Sequence, residues 1–193
     1  MVGRLLIISG ASGVGKSSLT ARLAASLEFD KVVSSDTIRE TLRTTVSLED
    51  SPALHRSSFQ PGGSGAIDDW KATIAPLREA IDAVIAREVK RGGDLLLEGV
   101  HFAPSFGIID AWRAAGGTAV GVVLHVEDDA EHVRMIAGRR KHNGRPVRHY
   151  LEHIERIREI QAEMLRLAEK SAWLAIDVTQ ADDPIGQIEE KLL

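Results

Sequence analysis

A glycine-rich segment near the start of the chain constrains the fold more than any other feature of the sequence. Residues 10–17 read GASGVGKS and match the pattern G-x-x-x-x-G-K-[ST] at every required position. The apolar run LLII at positions 5–8 precedes this segment, and a helical pattern from Ser18 to Leu27 follows it. In this strand-loop-helix context, successive backbone N–H groups and the helix N-terminus face an anion. The segment therefore predicts a phosphate loop at the end of the first strand.

The phosphate loop predicts ATP and Mg²⁺ as cofactors. Lys16 supplies positive charge for the β and γ phosphates and is a candidate catalytic residue, while the Ser17 hydroxyl is expected to bind Mg²⁺. The predicted cofactor-binding residues are Gly10, Ser12, Gly13, Val14, Gly15, Lys16, Ser17 and Ser18. The sequence lacks the N-K-x-D motif that recognises guanine in G proteins, and this absence favours a small-molecule kinase.

Apolar runs alternate with helical patterns along the whole chain, which is typical of a parallel sheet with crossover helices on both faces. The predicted strands are Arg4 to Ser9, Lys31 to Ser34, Asp94 to Glu98, Ala119 to His125 and Trp173 to Ile176. Two apolar stripes with helical spacing, Ile67 to Val89 and Leu151 to Ala168, predict core helices, and Pro76 predicts a kink in the first. Residues 60–65, QPGGSG, predict a segment without regular structure. We therefore expect an α/β chain with the three-layer P-loop NTPase fold, a five-stranded parallel sheet flanked by helices.

Size and charge exclude several classes of protein. A chain of 193 residues predicts a single domain, 1–193, and 24 basic against 28 acidic residues leave no global field that would recruit nucleic acid or an anionic membrane. The absence of cysteine excludes disulfide scaffolds, thiol catalysis and Cys-ligated metal sites. The apolar run at the start is far shorter than the roughly 20 residues of a membrane span. We therefore expect a cytoplasmic protein with a small-molecule partner.

Residues 34–40, SSDTIRE, follow the second predicted strand, and Arg43 lies one turn beyond Arg39. The carboxyl ends of parallel strands converge on the ligand crevice, so Asp36 is expected near the phosphates. Asp36 could accept the proton of an attacking hydroxyl, hold Mg²⁺ through water, or cap the helix that follows. Arg39 could bind an acceptor anion through two hydrogen bonds. This segment opens a predicted acceptor-binding region at residues 34–66.

The third predicted strand delivers a carboxylate to the same edge. Glu98 ends this strand where a Walker-B acid would sit, so it is a candidate for Mg²⁺ binding through water or for binding acceptor hydroxyls. Gly99, the next residue, permits close approach of the backbone. His101 lies just past the strand, where a histidine is more often a hydrogen-bonded loop residue than a catalyst.

A basic segment at residues 134–148, RMIAGRRKHNGRPVR, contains six basic residues and no acid. Its arginines predict a lid that closes over the transferring phosphates, with Arg139 and Arg140 as candidate catalytic residues. Either of these two arginines could instead cover the adenine. A solvated basic loop or a nucleic-acid contact is the alternative, although the segment lacks the interleaved aromatic residues that stack on single strands.

Four further blocks accompany the phosphate loop. They are SSDTIRE at residues 34–40, HRSSF at 55–59, EGVHFAP at 98–104, and the pair RPVRHYLE and IREIQ within 145–161. With the phosphate loop, these blocks resemble the 2-phosphoglycerate kinase family in order and approximate spacing. The resemblance spans roughly residues 3–161 and implies a fold similar to that of nucleoside and shikimate kinases. It also implies transfer of the ATP γ-phosphate to the hydroxyl of 2-phosphoglycerate, giving 2,3-bisphosphoglycerate.

The resemblance also assigns roles to individual residues. Lys16 and Ser17 would bind ATP and Mg²⁺, Asp36 would be the base, and Arg39 would bind the phosphate or carboxylate of the acceptor. Arg43 and Arg56 are candidates for further positive charge around a trianionic acceptor. The pair Asp36 and Arg39 also forms the D-x-x-R pattern of polynucleotide kinases. A kinase of a nucleoside, a polynucleotide 5′ end or a sugar, and a nucleotide-dependent switch or binding module, therefore stay open as alternatives.

Overall fold

Five parallel strands form the centre of the computed structural model, which describes residues 2–138 and 146–192, apart from the side chain of Phe106. The strands are β1 (Arg4–Gly10), β2 (Val32–Ser34), β3 (Leu95–Glu98), β4 (Thr118–His125) and β5 (Leu174–Asp177). They lie in the order β2-β3-β1-β4-β5, with every neighbouring pair parallel. The predicted five-stranded parallel sheet is thereby confirmed, with strand bounds that differ from the prediction by one residue at some ends.

Helices cover both faces of the sheet. They are α1 (Lys16–Ser26), α2 (Ser35–Leu42), α3 (Ala66–Ile74), α4 (Arg78–Arg91), α5 (Phe106–Ala114), α6 (Asp129–Ala137), α7 (Val147–Leu151), α8 (Ile154–Lys170) and α9 (Pro184–Leu192). Leu5 and Ile7 of β1 face one apolar core, which contains residues of α3, α4 and α8, whereas Leu6 and Ile8 face a second core with α1 and α9. The alternation of strand side chains between two cores produces the three predicted layers.

The stretch predicted as one kinked helix from residue 67 to residue 89 is two helices. A 3₁₀ turn, Ala75–Leu77, separates α3 from α4 and contains Pro76. Proline has no N–H to donate and its ring clashes with the preceding turn, so the α-helical pattern breaks there. The apolar stripe nevertheless continues across the break, because Trp70, Leu77 and Ile81 are all buried in the same core.

The later stripe is also divided. Leu151 ends the short helix α7, and α8 begins at Ile154, so only the residues from 154 onward share one helix face. Residues 60–65 form no helix or strand, as predicted. Among the described residues, no helix is long and apolar enough to cross a membrane.

The carboxyl edge of the sheet brings three sequence-distant segments together. Glu98 pairs in register with Ile8 of β1 on one side and with Ser34 of β2 on the other. The phosphate loop, the start of α2 and the segment after β3 therefore begin at neighbouring points of one edge. The fold places the predicted nucleotide and acceptor regions side by side. Residues 139–145, the centre of the predicted lid, lie outside the described residues.

Candidate active site

The phosphate loop leads directly from β1 into α1. Gly15 lies at the N-cap of α1 with φ of 79°, in the left-handed region that favours glycine. No side chain caps this helix, and no acidic residue occupies its first turn. Because the first N–H groups of a helix have no partner within the helix, this N-terminus is suited to an anion.

The predicted cofactor-binding residues present different groups at the N-terminus of α1. The Nζ of Lys16 donates to the carbonyl of Ala11 at 2.8 Å, so the lysine side chain folds back along the loop. Ser17 and Ser18 are exposed. Val14 is fully buried in the core beneath the loop, so only its backbone is available to a phosphate.

Helix α6 supports the phosphate loop from behind, a contact that sequence reasoning missed. His132 is buried, and its Nε2 lies 2.9 Å from the carbonyl oxygen of Ser12. A carbonyl accepts only, so Nε2 carries the proton. Burial lowers the pKa of His132 and keeps the ring neutral. A Cβ on Gly13 would lie 2.4 Å from Ile136 of the same helix, so this close packing requires glycine.

A cavity of about 540 Å³ lies beside the phosphate loop. We call it the acceptor cavity. It is lined by Ser12, Asp36, Thr37, Arg39, Glu40, Arg43, Ser57, Ser58, Phe59, Val100, His101 and Tyr150. Three of the predicted substrate residues, Asp36, Arg39 and Arg43, thus share one wall with a residue of the phosphate loop. A ligand in this cavity would be adjacent to a nucleotide phosphate on the loop.

Asp36 stands in the first turn of α2 with its side chain half exposed. Ser34 is the N-cap residue, and its side chain accepts from the Asp36 N–H at 3.3 Å, so Asp36 does not cap the helix. An Oδ1 atom of Asp36 lies 4.0 Å from Nη2 of Arg39 and 4.0 Å from Nδ1 of His101. The carboxylate is therefore open to the cavity and able to accept a proton there.

Arg39 and Arg43 project from successive turns of α2. Arg39 is buried, and its Nη1 donates to the carbonyl of Arg56 at 3.0 Å. Its Nη2 donates to Glu40 at 3.0 Å. Arg43 donates from Nη1 to both carboxylate oxygens of Glu40 at 2.9 Å. Glu40, to which no role had been assigned from the sequence, thus holds both cationic side chains of the cavity wall.

His101 is a buried member of the cavity wall. Its Nδ1 lies 2.9 Å from the hydroxyl of Ser35, and its Nε2 is buried without a hydrogen-bond partner. Burial lowers the pKa of His101 to about 4, with the charges of Arg39 and Lys16 adding to the effect and Asp36 opposing it. His101 is therefore neutral at physiological pH. The structure thus agrees with the expectation that His101 is a hydrogen-bonded loop residue.

Two of the five predicted substrate residues, Glu98 and Arg56, lie outside the lining of the acceptor cavity. Glu98 ends β3 and is half-buried. Arg56 donates from Nη2 to the backbone carbonyl of Asp69 at 2.7 Å, so its guanidinium is held against α3. The structure therefore groups Asp36 with Arg39 and Arg43 but does not bring Glu98 or Arg56 into the same lining.

Sequence reasoning did not assign roles to the remaining wall of the cavity. Ser57, Ser58 and Phe59 follow a 3₁₀ turn, and Tyr150 comes from α7. The rings of Phe59 and Tyr150 lie 5.3 Å apart, which joins the two segments. The only sequence signal was their presence in the quoted blocks HRSSF and RPVRHYLE, because their meeting depends on tertiary packing.

The described ends of the basic segment carry surface ion pairs. Arg134 pairs with Glu131, and Arg148 donates to Glu152 at 2.6 Å. Arg139 and Arg140, the predicted catalytic arginines, lie outside the described residues. Within residues 2–138 and 146–192, no three His, Asp or Glu side chains converge to hold a metal ion.

Residues 5–163 match the family model AAA_33, described as an AAA domain. The chain belongs to this family. Among curated relatives, 2-phosphoglycerate kinase of Pyrococcus horikoshii is 26% identical over 197 residues, covering 98% of this chain and 64% of that protein. The enzyme of the same name from Methanopyrus kandleri is 27% identical over 194 residues, covering 95% of this chain and 59% of that protein.

These relatives confirm the predicted resemblance to 2-phosphoglycerate kinases, although the chain spans less than two thirds of their length. Among solved structures, shikimate kinase from Acinetobacter baumannii in complex with shikimate superposes with a TM-score of 0.56 and 14% identity, covering 98% of this chain and 92% of that one. A gluconokinase from Sinorhizobium meliloti gives a TM-score of 0.52 and 20% identity, covering 97% and 88%. The predicted fold class is therefore confirmed.

Proposed function

We propose that the protein is an ATP-dependent kinase of a small anionic alcohol, most directly 2-phosphoglycerate, with 2,3-bisphosphoglycerate as the product. One observation carries the proposal. Asp36, Arg39 and Arg43 line the same cavity as Ser12 of the phosphate loop. A proton acceptor, anion-binding groups and a nucleotide-phosphate site thus adjoin one space, which is the minimum that this reaction requires.

Binding of the nucleotide rests on groups that fit it. The first turn of α1 has neither a side-chain cap nor an acid, and Lys16 lies along the loop that would hold the β and γ phosphates. Ser17, Asp36 and Glu98 are the residues that would hold Mg²⁺, which when bound offsets charge on the β and γ phosphates. Because no three acidic or histidine side chains converge in the described part of the chain, this ion would depend largely on the nucleotide for its ligands.

The chemical step follows from the same arrangement. The acceptor hydroxyl oxygen forms a bond to the γ-phosphorus, the bond from that phosphorus to the β–γ bridging oxygen breaks, and ADP leaves. The hydroxyl proton passes to the Asp36 carboxylate. Arg39 and Arg43 hold the acceptor's phosphate or carboxylate and so orient the hydroxyl. Arg139 and Arg140 stay predicted contributors that close over the phosphates.

ADP release with Mg-ATP across a panel of acceptors tests this function. The panel contains 2-phosphoglycerate, 3-phosphoglycerate, glycerate, gluconate, shikimate, uridine and a 5′-hydroxyl oligonucleotide. We expect selective turnover with 2-phosphoglycerate. Turnover with another acceptor would reassign the substrate while retaining the kinase. Silence across the panel in a protein that binds ATP would favour a nucleotide-dependent binding module instead.

A further inference from the structure

The charges on the wall of the acceptor cavity balance. Arg39 and Arg43 supply two positive charges, and Asp36 and Glu40 supply two negative charges. Glu40 is the main partner of both arginines, since it accepts from Nη2 of Arg39 at 3.0 Å and from Nη1 of Arg43 at 2.9 Å through each oxygen. The acceptor-binding arginines are therefore already occupied by an anion that belongs to the protein.

Glu40 occupies the position that an acceptor anion would need. Its carboxylate binds Arg43 through two oxygens, as the phosphate or carboxylate of a substrate would. Partial burial alone would raise the pKa of Glu40, but the hydrogen bonds and charges of Arg43 and Arg39 outweigh burial and lower it. Glu40 is thus fully ionised at physiological pH, and its side chain is 56% exposed.

One nitrogen of Arg39 lies near both Glu40 and Asp36, the proposed proton acceptor. Nη2 of Arg39 lies 3.0 Å from Oε1 of Glu40 and 4.0 Å from Oδ1 of Asp36. An anion in the place of the Glu40 carboxylate would therefore share Nη2 of Arg39 with Asp36.

We propose that the Glu40 carboxylate marks the acceptor-anion subsite and acts as an intramolecular competitor that each acceptor anion must displace from Arg43 and Arg39. This inference rests on the proposed function and adds a specificity residue to it. When an anionic acceptor binds, its phosphate or carboxylate replaces the Glu40 carboxylate on the two arginines. A neutral alcohol does not displace Glu40, so the paired arginines add nothing to its affinity. When the product leaves, Glu40 returns to the arginines and opposes retention of the more highly charged product.

An acceptor anion can displace the Glu40 carboxylate, because the ion pairs of Glu40 with the two arginines are weak. Glu40 is half exposed and can turn into water, and exposed ion pairs change an equilibrium by at most about five-fold. A phosphate with two negative charges forms stronger hydrogen bonds to a guanidinium than a single carboxylate does. Displacement therefore lowers acceptor affinity by a small factor without blocking the subsite.

The test compares wild type with Glu40→Gln, which keeps the size of the side chain and removes its charge. Binding is measured by calorimetry with a non-hydrolysable ATP analogue and Mg²⁺ at saturation, so that the phosphate loop is filled. The probes are 2-phosphoglycerate, glycerate, inorganic phosphate and the neutral alcohol glycerol. We expect Glu40→Gln to tighten binding of the three anions by about two- to five-fold and to leave glycerol unchanged.

Two further variants isolate the cause. Glu49→Gln removes the same charge from an exposed loop position and should leave every dissociation constant unchanged, which excludes a general electrostatic effect. In an Arg43→Met background, Glu40→Gln should lose most of its effect, because the arginine that binds both oxygens of Glu40 is gone and only Arg39 is left. In steady-state assays, Glu40→Gln should lower the KM for the acceptor and, where product release is limiting, lower kcat as well.

The outcomes separate this inference from the proposed function. Equal anion binding by wild type and Glu40→Gln, weaker binding by the variant, or no phosphate binding by either protein overturns the role of Glu40. Tighter phosphate binding by the variant in a protein that phosphorylates none of the acids supports the subsite and overturns the proposed reaction. Tighter binding with selective turnover of 2-phosphoglycerate supports both.

Discussion

Asp36 carries the chemical step of the proposed reaction, because its carboxylate is the acid group in the acceptor cavity that is not hydrogen-bonded to an arginine at short range. Its Oδ1 stands 4.0 Å from Arg39, whereas Glu40 is held at 2.9 to 3.0 Å by both arginines. A carboxylate that keeps its lone pairs open to the cavity can accept a hydroxyl proton. The two acids of α2 thus differ in their hydrogen bonds, and this difference fits the separate roles proposed for them.

Replacing Asp36 with Asn should therefore lower kcat by about 100-fold or more, the usual contribution of a positioned general base. The dissociation constant for ATP should stay within a few-fold of wild type, since Asp36 is absent from the phosphate loop and would reach Mg²⁺ only through water. The exposed Asp68→Asn on α3 serves as the control with the same chemical change. Turnover of Asp36→Asn within a few-fold of wild type would remove Asp36 from the mechanism.

His101 gives the cavity wall a dependence on pH. The pKa of this ring is about 4 in the folded protein against 6.5 in the unfolded chain, mainly because burial disfavours the charged form. Between these values the unfolded chain binds more protons, so stability falls as pH drops from 6.5 towards 4 and is fully present above 6.5.

The variant His101→Gln should therefore lose less stability on acidification than wild type. We expect the loss of unfolding free energy between pH 7 and pH 5 to shrink by about 2 kcal/mol, measured by urea denaturation at both values. An identical loss in both proteins would show that His101 does not titrate as described.

A buried carboxylate on α3 holds the loop that forms one wall of the acceptor cavity. Asp69 accepts from the backbone N–H groups of Gly62 at 2.7 Å and Ser64 at 3.1 Å, and from Arg156 of α8 at 2.7 Å. Arg156 also donates to the carbonyl of Phe59 at 2.8 Å. One acid thereby fastens residues 59–64 to two helices.

Asp69→Asn should destabilise the protein by on the order of 3 kcal/mol, because the partly buried Arg156 loses the charge of its buried partner. It should also raise the KM for the acceptor several-fold while the dissociation constant for ATP is unchanged, since the loop directly follows Ser57 and Ser58 and includes Phe59 of the cavity wall. Urea denaturation and steady-state kinetics measure the two effects.

Lys71→Met is the matched control for this loop. Lys71 pairs with Glu163 at 2.9 Å and so joins the same two helices without touching the loop. Because Lys71 is half exposed, its loss should cost no more than about 1 kcal/mol and leave the acceptor KM unchanged. Equal effects of the two variants on the acceptor KM would contradict a specific role for Asp69.

Local sequence patterns predicted the elements more fully than the site. The strands follow from continuous apolar runs, and the break at Pro76 follows from the chemistry of proline. By contrast, His132 meets Ser12 across 120 positions of sequence, and Phe59 meets Tyr150 only after α7 packs on the loop. Asp36 and Arg39 could be predicted because they directly follow a strand. Arg56 could not be placed, since its partner Asp69 is fixed by tertiary packing.

At the level of the whole molecule, the sheet would couple binding of the proposed nucleotide to folding. The phosphate loop joins β1 to α1, and β1 lies in the middle of the sheet between β3 and β4. A ligand that binds only the folded state stabilises it by about 2.7 kcal/mol at 100 times its dissociation constant. An ATP analogue with Mg²⁺ should therefore raise Tm.

Lys16→Met should abolish most of that shift, because the lysine is the cationic group of the phosphate loop. The measurement is thermal unfolding with and without the analogue, with Lys31→Met as a control lysine outside the loop. A full shift in Lys16→Met would place the nucleotide elsewhere.

The transfer of phosphate from ATP to a hydroxyl of the acceptor is the central claim, and phosphorus NMR of the reaction mixture tests it most directly. Incubation with Mg-ATP and 2-phosphoglycerate should produce 2,3-bisphosphoglycerate and ADP in equal amounts, and Asp36→Asn should produce neither at a comparable rate. Release of inorganic phosphate without a bisphosphorylated product would contradict the claim.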